Sequence, residues 1–350
     1  MRVVITGATG NAGTSLVQVL AQDPAIDEIV GLARRRPQLE MPRTTWATAD
    51  VVSDDLVEHF RGADCVVHLA WLIQPSRVRE TTRAVNVDGS RRVFEAVAAA
   101  GVPSLVHASS VGAYSPGPKD RFVDESWPTG GIRSSFYSRD KADVERILDA
   151  FEAEHPGVRV VRLRPGLIFK SQAASGIRRL FAGPLLPSPL LHRKLIPFVP
   201  AMERLRFQAV HSLDIGEAYH RAIVSDVRGA FNVAADPVLD PPELGRLLGA
   251  RPVPVSPRVL RAAVTASWKL RLQPTPAGWL DIALGVPLMD VSRARRELGW
   301  TAKHTAGEAL LELLEGMRRS DGADTAPLAP GGDGPARVRE VLTGVGSRSR

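Results

Sequence analysis

The sequence predicts an α/β fold, a doubly wound parallel sheet with a smaller C-terminal portion packed on it, and three observations carry that expectation. Apolar strand-like runs alternate with helix-period segments from the first residue onward, the order that places helices on both faces of one sheet. The runs are continuously apolar instead of alternating, as strands buried on both faces are. The composition suits a folded chain: 350 residues, 44% hydrophobic and 24% charged, long enough to bury a large core.

The elements follow in order. RVVIT (2–6) is the first strand, followed by a helix around 12–22; EIVGLA (28–33) is the second, and a short third strand falls near 45–49. A helix near 53–61 leads to DCVVHL (64–69), a long helix near 83–100 to SLVHAS (104–109), and a helix over 138–154 to RVVRLR (159–164). Past residue 166 the alternation breaks down and prolines multiply, as in AGPLLPSPLLHRKLIPFVP (182–200). SRARRELGW (292–300) and TAGEALLELLEGMRR (305–319) read as two closing helices, the second amphipathic through Ala309, Leu310, Leu313, Leu314 and Met317. The expected division is a nucleotide-binding domain over 1–165, a substrate-binding portion over 166–320, and a Gly-, Pro- and Ser-rich disordered tail over 321–350.

Several function classes drop out. No apolar run reaches the ~20 residues of a membrane span, and the N-terminus lacks the apolar core of a signal peptide, so a cytoplasmic protein is expected. The single Cys65 sits in an apolar strand and reads as a buried thiol, and no HExxH or CxxC spacing suggests a metal. GxSxG, the nucleophile elbow of the hydrolases, is missing. His68 and His107 fall on strands and read as packed or hydrogen-bonded groups. Net charge is +7, and eight Lys or Arg residues lie between Glu154 and Glu203 without a carboxylate, but no aromatic or helix-turn-helix pattern accompanies them, which argues against nucleic acid. That stretch leaves two substrate classes open, an anionic one such as a nucleotide diphosphate and an apolar one. The basic, partly amphipathic segment 258–273 reads either as ordinary packing or, together with 182–200, as a weak peripheral membrane contact or a cover for an apolar substrate.

The positive signals begin at TGATGNAG, where Gly7, Gly10 and Gly13 fall between the first strand and a helix. Glycines there allow a tight turn, close approach of a pyrophosphate and close helix packing, while the helix N-terminus offers free N–H donors to phosphate. The loop lacks the Lys and Ser/Thr of a P-loop, so a Rossmann-type dinucleotide site is expected, with Asn11 and Ala12 at the helix start. A carboxylate that would hold the NAD ribose belongs at the end of the second strand; Ala33 stands there, followed by Arg34 and Arg35, which suit a 2′-phosphate. NADP(H) is therefore expected in preference to NAD(H). Asp50, just past the third strand, is a candidate for the adenine amino group.

Tyr137 and Lys141 are one helical turn apart at the start of the helix after SLVHAS, at the sheet end where ligands bind. An ammonium beside a phenol favours phenolate and would lower its pKa towards the range of a general acid/base. Ser110 could hold the same substrate oxygen.

GxxGxxG, HLA (68–70), NVDGS (86–90), SSVGAY (109–114), YxxxK (137–141) and RPG (164–166), in this order, resemble the extended short-chain dehydrogenase/reductases of the NAD-dependent epimerase/dehydratase group, over residues 1 to about 320. The resemblance implies Ser110, Tyr137 and Lys141 as catalytic serine, acid/base and activator. It implies a cofactor site that includes Gly7, Gly10, Gly13, Asn11, Ala12, Arg34, Arg35, Asp50, Val51, Leu69, Ala70, Pro165, Tyr137 and Lys141. It also implies a small-molecule substrate and a homodimer paired through helices beside the site. Ala33, and Val111-Gly112-Ala113 after the serine, depart from the sugar-nucleotide epimerases. Net reduction or dehydrogenation, epimerisation and dehydration stay open, as does a non-catalytic sensor or assembly protein that keeps the glycine loop alone.

Overall fold

The structure is a computed structural model that describes residues 1–73, 79–181, 196–273 and 275–329. β1 (Arg2–Thr6) passes through the glycine turn into α1 (Asn11–Leu20), and β2 (Glu28–Ala33) and β3 (Thr44–Thr48) follow. After α2 (Val57–Phe60) and β4 (Cys65–His68), α3 (Arg79–Arg83) runs through one π turn (Ala84–Asp88) into α4 (Gly89–Ala99) and then β5 (Ser104–Ala108). A two-residue β6 (Phe122–Val123) and the long α5 (Phe136–Glu154) lead to β7 (Arg159–Pro165). The second portion comprises β8 (Leu167–Phe169), α6 (Ala174–Phe181), β9 (Phe198–Ala201), β10 (Phe207–His211), α7 (Ser212–Val224), β11 (Gly229–Val233), β12 (Ala235–Leu239), α8 (Pro241–Leu248), β13 (Arg251–Pro254), α9 (Pro257–Lys269), α10 (Gly278–Gly285), β14 (Leu288–Met289), α11 (Ser292–Glu297) and α12 (Ala306–Arg319).

The central sheet is parallel throughout, in the order β3-β2-β1-β4-β5-β7-β11. The chain winds outward in both directions from β1 and β4, so the topological switch lies between them and opens a crevice at their C-terminal ends. Alternate residues feed two cores. Val3, Ile5, Cys65 and Val67 face α1 and α7, and Val4, Val66 and Leu105 face α4 and α5 with Phe94, Leu148 and Phe151. Burial pushes the Cys65 thiol up to about 11, so it is an inert core group. Gly216 lets α7 lie against α1, since a Cβ there would fall 3.0 Å from the Ser15 carbonyl. β11 shows that the sheet draws one strand from the second portion; that portion adds a three-stranded sheet, β12-β10-β8, and the pair β13-β9, and its β14 pairs with β6 of the first.

Two elements differ from expectation. The helix expected near 53–61 shrinks to α2, because Asp50, Asp54 and Asp55 cap the backbone amides of Val52, Asp50 and Val57 and hold the preceding stretch as turns. The helix expected over 83–100 begins at Arg79 and is interrupted by the π turn, where Asn86 turns inward and bonds both the N–H and the carbonyl of Leu72. α12 matches its sequence pattern: Ala309, Leu313 and Met317 are buried, and Thr305 and Glu308 form a capping box. Residues 321–329, expected within the disordered tail, are packed. Thr325 and Leu328 are buried, and Thr325 Oγ1 donates to the Thr9 carbonyl at 2.9 Å. Residues 330–350 and the proline-rich 182–195 lie outside the described residues.

Candidate active site

The glycine turn forms one wall of a crevice at the C-terminal ends of β1, β2 and β4. Gly7 has φ +72°, and a Cβ there would lie 2.6 Å from the Ala70 amide nitrogen, so both its conformation and the approach of the β4 loop demand glycine. Gly13 is excluded from bearing a side chain by the Gly7 and Ala8 carbonyl oxygens, each 2.6 Å from a Cβ. Gly10 caps α1 with no side-chain partner for the first-turn N–H groups, which leaves them to a ligand. The crevice is lined by Gly7, Thr9, Gly10, Leu32, Ala33, Arg34, Arg35, Asp50, Val51, Leu69, Ala70 and Trp71, with Ala326 and Pro327 at its edge. A dinucleotide fits this cradle: glycine backbone for pyrophosphate, apolar walls for adenine, and Arg34 and Arg35 exposed at the rim.

Eight of the residues expected at the cofactor site, Gly7, Gly10, Arg34, Arg35, Asp50, Val51, Leu69 and Ala70, thus share one crevice. Asn11 turns away, its side-chain amide donating to the Ile168 carbonyl and its main-chain carbonyl receiving Lys170 and Ser212. Gly13 and Ala12 act through the helix backbone. Pro165 ends β7 and is paired with Val233 of β11.

The second cluster sits at the end of β5. Ser110 caps a short 3₁₀ turn, its Oγ accepting the Gly112 N–H at 3.0 Å. Ser135 caps α5, so Tyr137 and Lys141 stand on its first turns; Ser138 bonds the Gly112 carbonyl and locks α5 to the serine turn. A Cβ on Gly112 would fall 2.7 Å from Tyr137 Cε1 and 3.3 Å from Ser110 Oγ, so the phenol ring lies directly over this glycine. Trp279 packs against the ring at 4.9 Å between centroids, tilted by 33°, and Trp71 meets it edge-on at 5.9 Å. Neither tryptophan stands in a motif that marks it; Trp279 arrives from α10, far along the chain.

Lys141 is 4% exposed, its Nζ donating to the Ala108 carbonyl at 2.7 Å and lying 3.5 Å from the centre of the Trp71 ring. Burial drops its pKa to about 7, opposed by Glu145. One expectation is corrected here. Burial raises the Tyr137 phenol above its usual 10 and the Ser110 hydroxyl opposes it, while Lys141, itself dropped to about 7 by burial, has lost its proton before the phenol titrates and so does not lower it.

The two strand histidines are structural. His68 bonds Thr6 and Ser90 at 2.7 and 2.9 Å and stacks on His107, and burial holds His68 at about 3 and drives His107 well below its usual value, so both rings are neutral. Beneath the serine turn, Glu145 accepts from Ser109, Arg162 and both Nε and Nη2 of Arg164. Arg164 also donates to the Tyr114 hydroxyl, which donates in turn to Asn232. This network decides the role of the carboxylate-free stretch. Arg159 donates to carbonyls of Ala222, Ile223 and Val227, Arg162 and Arg164 pair with Glu145, and Lys170 bonds Asn11, Thr14 and Ser15. Among the described residues these four cations are bonded within the protein.

Among the described residues no group of His, Cys, Asp and Glu could hold a metal ion, and no helix is long and apolar enough to cross a membrane. The model of the NAD dependent epimerase/dehydratase family matches residues 3–183. An uncharacterized protein of Mycobacterium tuberculosis is 29% identical over 322 residues, 91% of this chain; the chain spans 30% of that relative's length. Among solved structures, MoeE5 in complex with UDP-glucose and NAD superposes with a TM-score of 0.65 at 23% identity, covering 91% of this chain and 99% of that one. UDP-glucose 4-epimerase of Thermus thermophilus in complex with NAD gives 0.65 at 21% identity over the same shares. These two likenesses bear on the fold.

Proposed function

Since the chain belongs to the NAD-dependent epimerase/dehydratase family, we propose that it exchanges hydride between a nicotinamide cofactor and a carbinol or carbonyl carbon of a small molecule, with Tyr137 as the acid/base. The observation that carries this reading is the convergence of Ser110, Tyr137 and Lys141 at the end of β5, beside the glycine crevice. NAD(P), when bound, supplies the hydride donor or acceptor. Gly7, Gly10 and the α1 N-terminus hold its pyrophosphate, and Arg34 and Arg35 receive a 2′-phosphate, so NADP(H) is the preferred form. Residues 166–320 carry the substrate, with Trp279 closing the space over the phenol.

Ser110 Oγ holds the reacting oxygen, and Tyr137 gives or takes its proton. A phenol kept protonated by burial suits the reducing direction, in which it donates to a carbonyl oxygen. Lys141, held by the Ala108 carbonyl and Trp71 beside Tyr137, would bind the nicotinamide ribose. The Trp71 and Trp279 faces, and the internal pairing of the nearby arginines, favour a substrate with an apolar body over a nucleotide diphosphate.

Consumption of reduced nicotinamide, followed by near-ultraviolet absorbance with a panel of ketones, aldehydes and nucleotide sugars, identifies the reaction. Tyr137→Phe should abolish turnover and leave cofactor affinity near normal; full activity in that variant would remove the mechanism. In calorimetric titration, Arg34→Ala with Arg35→Ala should weaken NADP and leave NAD unchanged. Tighter NAD than NADP binding by the parent protein would overturn the cofactor assignment.

A further inference from the structure

We propose that α9 and the strand pair leading into it form a docking face for the surface of an anionic phospholipid membrane. α9 has no buried residue along its 13 positions. Val259, Ala262, Ala263, Ala266 and Leu270 recur at i, i+3, i+4, i+7 and i+11, one apolar stripe, and every one of them is exposed. Val259 and Leu270 are 66% and 69% exposed, and Leu272 just beyond is 52% exposed. Phe198 on β9 is 60% exposed and pairs opposite Arg251 of β13, which enters α9 two residues after its end. Of nine exposed large hydrophobic side chains among the described residues, these four gather in one strand pair and helix.

Charge selects the occupant. Between Glu243 and Asp281 the sequence holds six cations and no carboxylate; Arg246 and Arg261 pair with those two bounding carboxylates, and Arg251, Arg258, Lys269 and Arg271 complete the set. Arg258 and Lys269 flank the apolar stripe, and Arg271 follows it; all three are exposed. An apolar stripe bordered by cations is the pattern of a helix that lies in a bilayer interface, its aliphatic side chains among acyl chains and its cations at anionic headgroups. The opposite face anchors the helix to the protein: Leu260, Val264 and Trp268 are half-buried, and Arg261 grips Asp281 of α10 through two bonds of 2.8 and 3.0 Å. α10 also carries Trp279 against Tyr137, so the docked face adjoins the wall of the active site.

Co-sedimentation of the full chain with vesicles of phosphatidylcholine alone, or of an equal mixture with phosphatidylglycerol, tests the proposal. Binding to the mixed vesicles, weakened by salt and much lower on pure phosphatidylcholine, is expected. Lys269→Gln with Arg271→Gln should weaken it roughly thirtyfold. Val259→Asp with Leu270→Asp, both at exposed positions, should abolish it while leaving cofactor affinity and thermal unfolding unchanged. No binding to the mixed vesicles, equal binding to both compositions, or undiminished binding by the aspartate variant would overturn the proposal. So would light scattering that shows the same aspartate variant splitting a dimer into monomers, which would make the face a contact between two copies.

Discussion

A methyl group added at Gly112 should separate catalysis from cofactor binding. The backbone there is not left-handed, so alanine adds no strain of its own, and the whole effect comes from the contact it creates. The new Cβ would stand 2.7 Å from Tyr137 Cε1, whereas carbon atoms rest ~3.5–4.0 Å apart, so the ring must move by about 1 Å. It cannot swing freely, because Trp279 packs against it and Trp71 meets it edge-on. The phenol therefore leaves its place beside Ser110. A displacement of ~1 Å at a reacting group costs on the order of 10²-fold in rate, or about 2.7 kcal/mol of activation free energy. Gly112→Ala should accordingly lower kcat by about that factor with the cofactor dissociation constant unchanged, measured by steady-state absorbance and by fluorescence titration of bound NADPH. An unchanged kcat would refute the assignment of Tyr137, since a true acid/base could not tolerate the shift.

Two further outcomes follow from buried charge. Lys141→Met should remove turnover and raise thermal stability. The lysine's folded pKa lies near 7 against an ordinary 10.5, so folding disfavours its charged form, and the gain of the variant should be fullest below pH 7 and shrink as pH rises towards 10.5. Glu145→Gln should destabilise by ~3–5 kcal/mol, because Arg162 and Arg164 lose the carboxylate between them. Burial alone would raise the Glu145 pKa, but the two guanidinium groups and Ser109 outweigh it and hold the carboxyl at about 2. The stability it contributes is therefore complete above the ordinary carboxylate pKa of 4.5 and lost as pH falls from there towards 2, which acid titration of urea unfolding midpoints would show flattened in the variant.

The central parallel sheet was legible because each strand is a local apolar run and each glycine of the turn has a local reason. EIVGLA matched β2 residue for residue, and RVVRLR fell one residue short of β7. The tyrosine–lysine pair was legible because one helical turn fixes their relation. What was not legible depended on a distant neighbour. The lowering of the Tyr137 pKa by Lys141 was a sound local inference, overturned by burial, which raises the phenol and drops the lysine to about 7. The basic stretch after Glu154 left an anionic and an apolar substrate both open, and only the structure shows that Glu145, on another element, pairs with two of its arginines.

The sequence by itself determined the winding of the sheet, the place of the nucleotide crevice and the side chains available for proton transfer, since periodicity and short spacings encode contacts within a few turns of chain. Only the tertiary structure decided which charges are spent inside the protein, that Trp279 from α10 closes over the phenol, and that residues 325–327 reach the glycine turn more than three hundred positions earlier. Those outcomes depend on dielectric and packing, which are properties of the assembled surroundings of a group and have no signature in its own stretch of sequence.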